Sequence, residues 1–388
     1  MKKLFFIISL CSIMSYGSGY EKTVLWGAKY SGTAGVGSPG IKGSDAIYYN
    51  PAGLVNSAEM GEFAFNLSNS TSTFKGPIVP NSTVYMAGPS VSAFTNAEKQ
   101  ETSATANSLI PGVTYSMKLS DSLSYGIGYY AVGGTRANYE NIDFAPRSFK
   151  AKVGSEITIS EFAAGIGYKM SEALRLGLAL RYTMIDANFS SVSYTTSSSR
   201  VGAITNMEVK DLKTATLDSV RLGAQYDLSE DVKLGFMIRT ETKMDGTGKA
   251  SGTSNAYVSA SNAVVNIPIS EVDAKVETVL PMAIGLGTEM KLSDAWKFFG
   301  EYVFTQYSRI DKVSISGTIS VAGTPKSLED IQQKWKDQHV IKLAGEYSGI
   351  SWPVRFGYIW TSQVTDAEYA RASFTPRGVA ATYNLGKG

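Results

Sequence analysis

The chain has 388 residues, of which 43% are hydrophobic and 18% are charged, and it contains 38 glycines and 22 tyrosines. Its 36 basic and 34 acidic residues nearly balance, so the sequence predicts no polyanionic partner such as a nucleic acid. Low charge with abundant glycine and tyrosine excludes a coiled coil or helical bundle, and the aromatic and β-branched residues throughout the chain argue against disorder.

The first nineteen residues have the pattern of a secretory signal peptide. A basic Met-Lys-Lys start is followed by the apolar run 4–10 and by small residues up to Gly19, where we expect cleavage. The apolar run is too short to span a membrane, so we predict an exported protein with a signal peptide at residues 1–19. A lipoprotein acylated at Cys11 is the alternative, although Leu10 is bulky at a position that prefers a small residue.

Export removes the only cysteine of the chain, because it lies in the predicted signal peptide. The mature protein therefore has no structural disulfide, thiolate metal site or cysteine nucleophile. The mature sequence also has no run of 18 apolar residues, which excludes a transmembrane helix and leaves a soluble β-protein or a β-barrel.

Residues 20–58 are rich in glycine and show no alternation of apolar and polar residues. Gly35-Val-Gly-Ser-Pro-Gly40 spells the GxGxxG fingerprint of dinucleotide-binding proteins, but it follows no predicted strand and opens no helix, which excludes that interpretation. Asn50-Pro51-Ala52-Gly53-Leu54 ends this segment directly before the first predicted strand. The segment is therefore a unit distinct from the strands that follow it.

From residue 59 onwards, apolar and polar residues alternate in many short runs. In the clearest run the following two sets of residues alternate: Leu174, Leu176, Leu178, Leu180 and Tyr182 with Arg175, Gly177, Ala179 and Arg181. One face of each run is apolar and aromatic, whereas the other carries glycine, alanine and charge. Alternation with a period of two predicts β-strands.

Short polar turns of one design join the runs in pairs. They occupy residues 118–123, 169–174, 227–232 and 291–296, with a looser example at 347–352. Between the pairs lie long polar stretches, which we predict as loops at about 134–155, 187–214, 243–274, 310–337 and 362–371. Short turns at one end and long loops at the other are typical of outer-membrane barrels, whereas a soluble sandwich or solenoid has no need of this asymmetry. We therefore predict an all-β fold: a transmembrane antiparallel β-barrel over residues 59–388, with about twelve strands visible.

Four sets of motifs occur along the mature chain: Asn50-Pro51-Ala52-Gly53-Leu54 before the first strand, Leu280-Pro281 at a strand start, Trp296 with Tyr307-Ser308, and Gly345-Glu346-Tyr347 with Arg355-Phe356-Gly357-Tyr358. In this order they resemble the FadL-type family of outer-membrane transporters of hydrophobic compounds, which includes OmpP1-like long-chain fatty acid and toluene transport proteins. The resemblance implies a 14-stranded barrel plugged by an N-terminal hatch, here residues 20–58. Because the chain ends at Gly388 without the terminal aromatic residue usual in such barrels, we expect the last hairpin to be missing.

The resemblance also implies roles for particular residues. It places the gate of the hatch at Asn50, Pro51 and Ala52, and it places a kinked strand for lateral exit at Gly126, Gly128, Gly133 and Gly134. It further implies a passive transporter in the outer membrane of a Gram-negative cell, in contact with outer-membrane lipid, inserted by the barrel-assembly machinery and acting as a monomer.

The resemblance carries over no ligand-contacting residues. Lumen-side positions of the predicted strands include Met237, Phe299 and Val303, which suit a hydrophobic ligand, and Arg239, which suits a carboxylate head. These four are the candidates for ligand binding, and the expected ligand is a long-chain fatty acid or an aromatic hydrocarbon. The charged residues of the lumen also fit structural ion pairs.

The sequence predicts no catalytic residue, no cofactor and no metal ion. His339 is the only histidine and lies outside any recognisable motif, whereas an outer-membrane hydrolase would need it beside a nucleophile. A calcium site at Asp143 or Asp366 has no supporting spacing. We predict a transporter and not an enzyme, with a general diffusion porin or a structural or adhesive barrel as the alternatives.

Overall fold

The computed structural model describes residues 25–77, 101–144, 149–196, 202–258, 263–366 and 380–387, together with Gly19 and Tyr369. Apart from Gly19, the predicted signal peptide lies outside these residues, as do residues 20–24 of the predicted hatch. The helices of the described chain are α1 (Ala28–Gly32), α2 (Ala46–Tyr49) and two 3-10 helices, Pro51–Asn56 and Tyr307–Arg309. None of these helices is long and apolar enough to cross a membrane.

Strands make up most of the described chain. In order they are β1 (Glu62–Pro77), β2 (Glu101–Lys118), β3 (Leu123–Phe144), β4 (Phe149–Lys169), β5 (Leu174–Thr196), β6 (Gly202–Asp227), β7 (Val232–Arg239), β8 (Thr242–Val258), β9 (Ala263–Leu280), β10 (Ala283–Lys291), β11 (Trp296–Thr305), β12 (Lys312–Ser316), β13 (Thr318–Val321), β14 (Thr324–Ser327), β15 (Ile331–Gln332), β16 (Gln338–Tyr347), β17 (Val354–Thr361) and β18 (Ala380–Lys387).

Twelve strands pair in the antiparallel order β1-β2-β3-β4-β5-β6-β7-β10-β11-β16-β17-β18, and we call them the wall. Residues 25–58, which we call the hatch, contact the wall on opposite sides. Helix α1 packs on β17 and β18, whereas the 3-10 helix Pro51–Asn56 packs on β2 to β6. The wall therefore curls around the hatch as a β-barrel, and both the predicted fold class and the predicted number of visible strands are confirmed.

A serine in each tight turn explains why the turn sequence repeats. The Oγ atoms of Ser120, Ser171 and Ser229 accept hydrogen bonds of 3.0–3.1 Å from the backbone N–H of the residue three positions later. Each such residue is the first of the next strand, at Leu123, Leu174 or Val232. A short hydroxyl side chain that bonds its own turn lets the chain reverse within four residues.

The outer face of the wall is apolar along the predicted runs. On β5, Leu176, Leu178, Leu180 and Tyr182 are 39–52% exposed, while Arg181 between them has no exposed surface. In a membrane these outward side chains face hydrocarbon, and the ladders with β4 and β6 pair most of the β5 backbone. The alternation read from the sequence therefore corresponds to lipid-facing and lumen-facing positions.

Three of the five predicted loops are wrong, because the described residues of the polar stretches 134–155, 187–214 and 243–274 are mainly strand. The fourth, 310–337, also contains the short strands β12 to β15, and the fifth, 362–371, lies partly outside the described residues. Strands β3 to β6 and the β8–β9 hairpin continue through the first three stretches with regular antiparallel pairing. Outside the membrane neither face of a strand meets hydrocarbon, so the apolar–polar alternation fades although the backbone pairing persists. The sequence pattern thus marks the membrane-spanning part of each strand and misses its extension.

The extensions form a branch of the same sheet above the wall. The upper part of β6 pairs with β8, β8 pairs with β9, β9 pairs with β12, and β12 pairs with the short β15. Residues 312–332 thereby lie over the extended strands on the side opposite the tight turns. This arrangement encloses the space between the extensions.

Candidate functional site

The side chain of Asn50 fixes the hatch to the wall. Its Nδ2 donates hydrogen bonds to the carbonyl oxygens of Ser38 (2.8 Å), Ala224 (3.0 Å) and Phe236 (3.2 Å), the last two on β6 and β7. Its Oδ1 accepts a hydrogen bond of 3.1 Å from the backbone N–H of Ala52 and so caps the following 3-10 helix. Asn50 and Ala52 have no exposed surface, so the predicted gate element lies at a buried contact between hatch and wall.

Glycines on the inner face of the wall let the hatch approach closely. A Cβ atom at Gly177 on β5 would collide with the backbone of Pro51 and Ala52, and one at Gly167 on β4 would lie 2.8 Å from the backbone N of Val55. Other wall glycines that face hatch residues in this way are Gly126, Gly223, Gly235, Gly287, Gly357 and Gly386. A side chain at such a position would push the hatch off the wall, which explains why glycine recurs on the lumen side of the strands.

Charged and hydroxyl side chains add further contacts between the hatch and the wall. Glu301 Oε2 accepts hydrogen bonds from the backbone N–H (3.1 Å) and the Oγ (2.7 Å) of Ser38, and Lys342 Nζ lies 2.8 Å from Glu301 Oε1. Burial raises the pKa of the Asp45 carboxyl in the hatch, although Thr114 donates a hydrogen bond to it. Several wall strands thus hold the hatch by directional bonds as well as by packing.

The wall is interrupted where β3 leaves β2. The ladder between the two strands ends at the pair Gly112–Tyr130, and beyond it β2 is paired with β1 alone in the described ladders. On its other side β3 stays paired with β4, but the register shifts between Ala131 and Gly133. Gly134 has a φ of +143°, which L-residues rarely adopt. Strand β3 therefore departs from the regular wall at Gly133 and Gly134.

The four predicted kink glycines separate into two pairs. Gly133 and Gly134 lie at the irregularity, whereas Gly126 and Gly128 lie in regular ladders with both β2 and β4. A Cβ atom at either of the latter two would meet a hatch side chain, Leu54 or Ile47. Gly126 and Gly128 therefore give the hatch room and do not bend the strand.

An apolar cavity lies between the strand extensions. It is lined by Gly154, Ser155, Ile157, Ile159, Ile185, Ala187, Phe189, Ser190, Ser191, Leu212, Thr214, Met244, Gly246, Val276, Thr278, Val313 and Ile331. None of these lining residues is charged. A cavity with this composition suits a small hydrophobic molecule.

The cavity adjoins the irregular part of β3. Ile157 and Ile159 of the cavity lining are the ladder partners of Thr135 and Gly133. Ile159 also belongs to the same buried apolar cluster as Val132, which lies within the register shift. The buried apolar cluster that lines the cavity at Ile159 thus extends to β3 at Val132.

A buried ionic cluster lies below the cavity and touches the hatch. Glu161 has no exposed surface and accepts hydrogen bonds from Arg181 Nε (2.7 Å), Arg221 Nη1 (3.1 Å) and the Tyr130 hydroxyl (2.8 Å). Arg221 Nη1 also donates to the carbonyl oxygen of Ile47 in α2 at 2.9 Å. Two guanidinium groups share one carboxylate, so the cluster carries net positive charge where the lumen is closed to water.

The four predicted ligand-binding residues do not line this cavity. Phe299 and Val303 pack with apolar residues of the hatch, and Met237 lies beside Gly285 on the neighbouring β10. Arg239 is buried and donates a hydrogen bond to the carbonyl oxygen of Pro281 at 2.9 Å. A ligand-binding role for these four stays a prediction.

Most of the residues that line the cavity escaped the sequence analysis because they lie in stretches predicted as loops. The others, Ile157, Ile159, Ile185, Val276 and Thr278, lie just outside those stretches. A signal was present, since Ile157 and Ile159 alternate with polar residues, as do Ile185 and Ala187. Each pair is too short to stand out from the surrounding serines and threonines. The cavity also joins residues from Gly154 to Ile331, a combination that only the folded chain reveals.

His339 lies on the outer face of β16, away from the cavity. Its Nδ1 is 2.7 Å from the Tyr302 hydroxyl, and its ring packs against Phe304. Among the residues that the structure describes, no group of three or more His, Cys, Asp or Glu side chains is placed to hold a metal ion.

An antiparallel barrel with a lumenal hatch and an apolar cavity defines an outer-membrane transport protein of the barrel type. Residues 22–388 match the model of the family described as outer membrane protein transport protein (OMPP1/FadL/TodX). The chain belongs to this family, whose members are outer-membrane transporters of hydrophobic compounds. The predicted resemblance and the predicted location in the outer membrane are thereby confirmed, whereas no curated protein sequence matches the chain.

Solved structures with the same fold include three transport proteins. A Pseudomonas aeruginosa FadL homologue is 14% identical, with a TM-score of 0.70 over 95% of this chain and 87% of its own. The Pseudomonas putida toluene transporter TodX is 14% identical, with a TM-score of 0.66 over 95% of this chain and 98% of its own. The Ralstonia pickettii toluene transporter TbuX is 17% identical, with a TM-score of 0.65 over 93% of this chain and 96% of its own. At these identities the likeness concerns the fold.

Proposed function

We propose that this protein is a passive channel that takes up small hydrophobic molecules, aromatic hydrocarbons or fatty acids, across the outer face of the outer membrane. The observation that carries the proposal is the uncharged, largely apolar lining of the cavity inside the strand extensions. A water-filled porin lumen has polar walls, whereas this cavity offers isoleucine, valine, methionine and phenylalanine side chains. Toluene is the substrate named for two of the proteins that share the fold.

The chemistry of the cavity favours an uncharged ligand or the alkyl chain of a charged one. No lining residue carries a positive charge to pair with a carboxylate, and an unpaired charge in an apolar site is costly. A fatty acid would need its head to reach the ionic cluster below, where Arg181 and Arg221 share Glu161. The two ligand classes therefore differ in whether they require these arginines.

The hatch acts in this proposal as the gate of the lumen. It occupies the level of the membrane-spanning strands, and Asn50, Pro51 and Ala52 form its fixed point against β5, β6 and β7. A ligand in the cavity lies beside the cluster that holds the carbonyl of Ile47. Competition for Arg221 would therefore loosen α2 while the Asn50 anchor stays in place.

The ligand leaves sideways, in this proposal, through the interruption beside β3. The ladder between β2 and β3 ends at Tyr130, and the chain turns at Gly133 and Gly134. A molecule leaving there enters the lipid of the outer membrane without crossing the hatch. The channel needs no energy source because partition into lipid drives this step.

The remaining parts of the proposal follow the domain division of the sequence. Residues 1–19 are the signal peptide, 20–58 the hatch and 59–388 the barrel, and the protein is inserted by the barrel-assembly machinery and works as a monomer without catalytic activity. His339 packs with Tyr302 and Phe304 on the outer face, a position suited to the membrane interface.

The test is retention of ligand by the folded, detergent-purified protein. We expect toluene or decanoate to be retained at about one molecule per chain, measured by mass spectrometry of organic extracts against an unrelated barrel. Val276→Thr places a hydroxyl in the cavity and should weaken retention roughly ten-fold, since burying an unpaired hydroxyl costs about 1–2 kcal/mol. Val265→Thr on the same strand, 46% exposed, is the control. Equal retention by both variants and the parent protein would contradict the cavity as the binding site.

A further inference from the structure

A layer of buried polar side chains lies directly beneath the apolar cavity. Ile159 of β4 and Ile185 of β5 line the cavity and are ladder partners. Inward side chains recur at every second residue of a strand, so the next inward pair below them is Glu161 with Thr183. Neither of these two polar residues has exposed surface. The cavity therefore changes from an apolar wall to a polar base within about 7 Å, the rise of two strand residues.

Hydrogen bonds join most of this layer together. We call its buried polar residues the floor, and they are Glu161, Arg181, Thr183, Ser219 and Thr242. Arg181 pairs with Glu161 through Nε and Nη2, both at 2.7 Å. Its Nη1 donates to Ser219 Oγ (3.0 Å) and Thr242 Oγ1 (3.3 Å), and Thr242 Oγ1 donates to Ser219 Oγ (2.8 Å). Four of the five floor residues thus bond one another.

Thr183 is the exception in the floor. Its Oγ1 is buried and has no hydrogen-bond partner among the described residues. A buried hydroxyl without a partner costs free energy, and valine would fill the same space without that cost. A hydroxyl in this place, directly below an apolar cavity, is accounted for by a hydrogen bond to a molecule that occupies the cavity.

The cavity reaches down to the level of Thr183. Strands β5 and β8 run in the same direction, because each is antiparallel to β6 between them, and the bond from Arg181 to Thr242 links the two strands at one level. One step up on the same inner faces, Thr183 follows Arg181 and Met244 follows Thr242. Met244 lines the cavity, so the lowest part of the lining and the Thr183 hydroxyl belong to one layer.

We propose, on the basis of the proposed function, that the cavity binds molecules with an apolar body and one uncharged hydrogen-bonding head, and that Thr183 binds this head. Phenols, alcohols, ketones and nitriles form this ligand class. A hydroxyl both donates and accepts a hydrogen bond, so it matches any of these heads. The unbranched Met244 side chain repacks readily and gives the head access to Thr183.

The floor suits a carboxylate head less well than an uncharged one. The donors of Arg181 are already bonded to other floor residues. The hydroxyl of Thr183 can donate only one hydrogen bond, which does not offset the cost of moving a carboxylate out of water. An uncharged head needs only that one bond.

Two ligands of the same shape, p-cresol and p-xylene, test this assignment. They differ in a hydroxyl group in place of a methyl group, and the phenol is uncharged at neutral pH. The folded, detergent-purified protein is loaded with each, and retention is measured by mass spectrometry relative to protein-free micelles. We expect Thr183→Val to lower retention of p-cresol about five- to ten-fold, as one lost hydrogen bond should. Retention of p-xylene should stay unchanged.

The matched control is Thr158→Val, because Thr158 is exposed on the outer face of β4, one residue from Ile159. It should retain both ligands like the parent protein. Thr183→Val should also melt at the same temperature as the parent protein or a higher one, since the lost hydroxyl has no partner in the floor. A lower melting temperature together with weaker retention of both ligands would identify a structural role for Thr183 and overturn the assignment.

A second measurement detects the hydrogen bond itself. p-Tolunitrile has the same ring with a nitrile head, and its C≡N stretching frequency rises when the nitrogen accepts a hydrogen bond from a hydroxyl. We expect a higher frequency for the ligand bound to the parent protein than for the ligand bound to Thr183→Val. The frequency found in a hydrocarbon solvent, observed with both proteins, would overturn the assignment.

The outcomes also separate the role of Thr183 from the proposed function. If the parent protein and Thr183→Val retain p-cresol equally and both retain p-xylene, Thr183 does not bind the ligand, and the cavity remains the ligand site. If the parent protein retains neither compound, the proposed function fails, and the role of Thr183 fails with it.

Discussion

At the scale of single residues, the inward-facing glycines of the wall allow the hatch backbone to lie directly against the strands because they have no side chain. The sequence revealed that glycine, alanine and charge share one face of the strands, and this face was correctly assigned to the lumen. It did not reveal what lies against each glycine, because the contact of Gly177 with Pro51 joins segments far apart in the chain. The carbonyl partners of Asn50 were hidden for the same reason.

Gly177→Ala should loosen the hatch without unfolding the wall. The new Cβ atom would collide with hatch backbone, which cannot swing aside as a side chain can, and overpacking of this kind costs about 1–3 kcal/mol. We expect faster trypsin cleavage at Lys29 and Lys42 in the otherwise folded barrel.

The matched control for that variant is Gly300→Ala on β11. A Cβ atom at Gly300 would meet nothing closer than the Phe298 side chain at 3.6 Å. This variant should digest like the parent protein. Equal digestion of both alanine variants would contradict the tight packing of hatch against wall.

At the scale of the elements, the strands were predictable only as far as the membrane imposes two different faces. The tight turns and the membrane-spanning runs followed directly from period-two alternation, because one face meets lipid and the other the lumen. The extensions of β3 to β6 were mistaken for loops because their two faces meet water, the cavity or the covering strands. The weak alternation at Ile157, Ile159 and Ile185 becomes meaningful only when the neighbouring strands are known.

Gly134→Ala should slow transport more than it weakens binding. An L-residue at a φ of +143° is strained, and the cost of about 1–3 kcal/mol favours a rearranged β3. We expect uptake of radiolabelled toluene by cells producing the variant to fall several-fold, while the purified protein retains toluene normally.

Gly285→Ala on β10 provides the comparison, since a Cβ atom there has ordinary contacts beginning at 3.5 Å. It should leave both uptake and retention unchanged. If Gly134→Ala also transports at the normal rate, the interruption beside β3 is not the exit.

At the scale of the whole molecule, the hatch and the wall form one packed body. Hydrogen bonds from Asn50, Gln225 and Ser38 join hatch to wall, and α1 packs on β17 and β18, on the opposite side from the Asn50 anchor. The resemblance predicted a plugged lumen, but the distribution of these bonds around the circumference depends on strand order and register. Those are properties of the closed fold and not of any one segment.

A plugged lumen should conduct ions poorly. We expect the parent protein to be nearly silent in planar lipid bilayers, and the double variant Asn50→Ala with Gln225→Ala to show discrete conductance steps. The variant loses the side-chain donors to Ser38, Ala224, Phe236 and Ile41, each worth about 0.5–1.5 kcal/mol.

Asn69→Ala, an exposed position on β1, should remain silent like the parent protein. Steady conductance of the parent protein would instead identify a general diffusion porin. A silent double variant would show that the remaining hatch–wall contacts, such as those of Ser38 with Glu301, hold the hatch without these donors.

The contacts of the hatch with both sides of the wall also affect the diameter of the barrel. In a closed barrel the number, tilt and stagger of the strands fix the radius. Among the described ladders none joins β1 to β18, so the twelve-stranded wall can curl to more than one radius. The hatch fits the lumen at one radius. In a wider barrel the inward-facing glycines would lose contact with the hatch, and in a narrower barrel they would collide with it. The hatch, which fills the lumen, thus also constrains the diameter of the barrel.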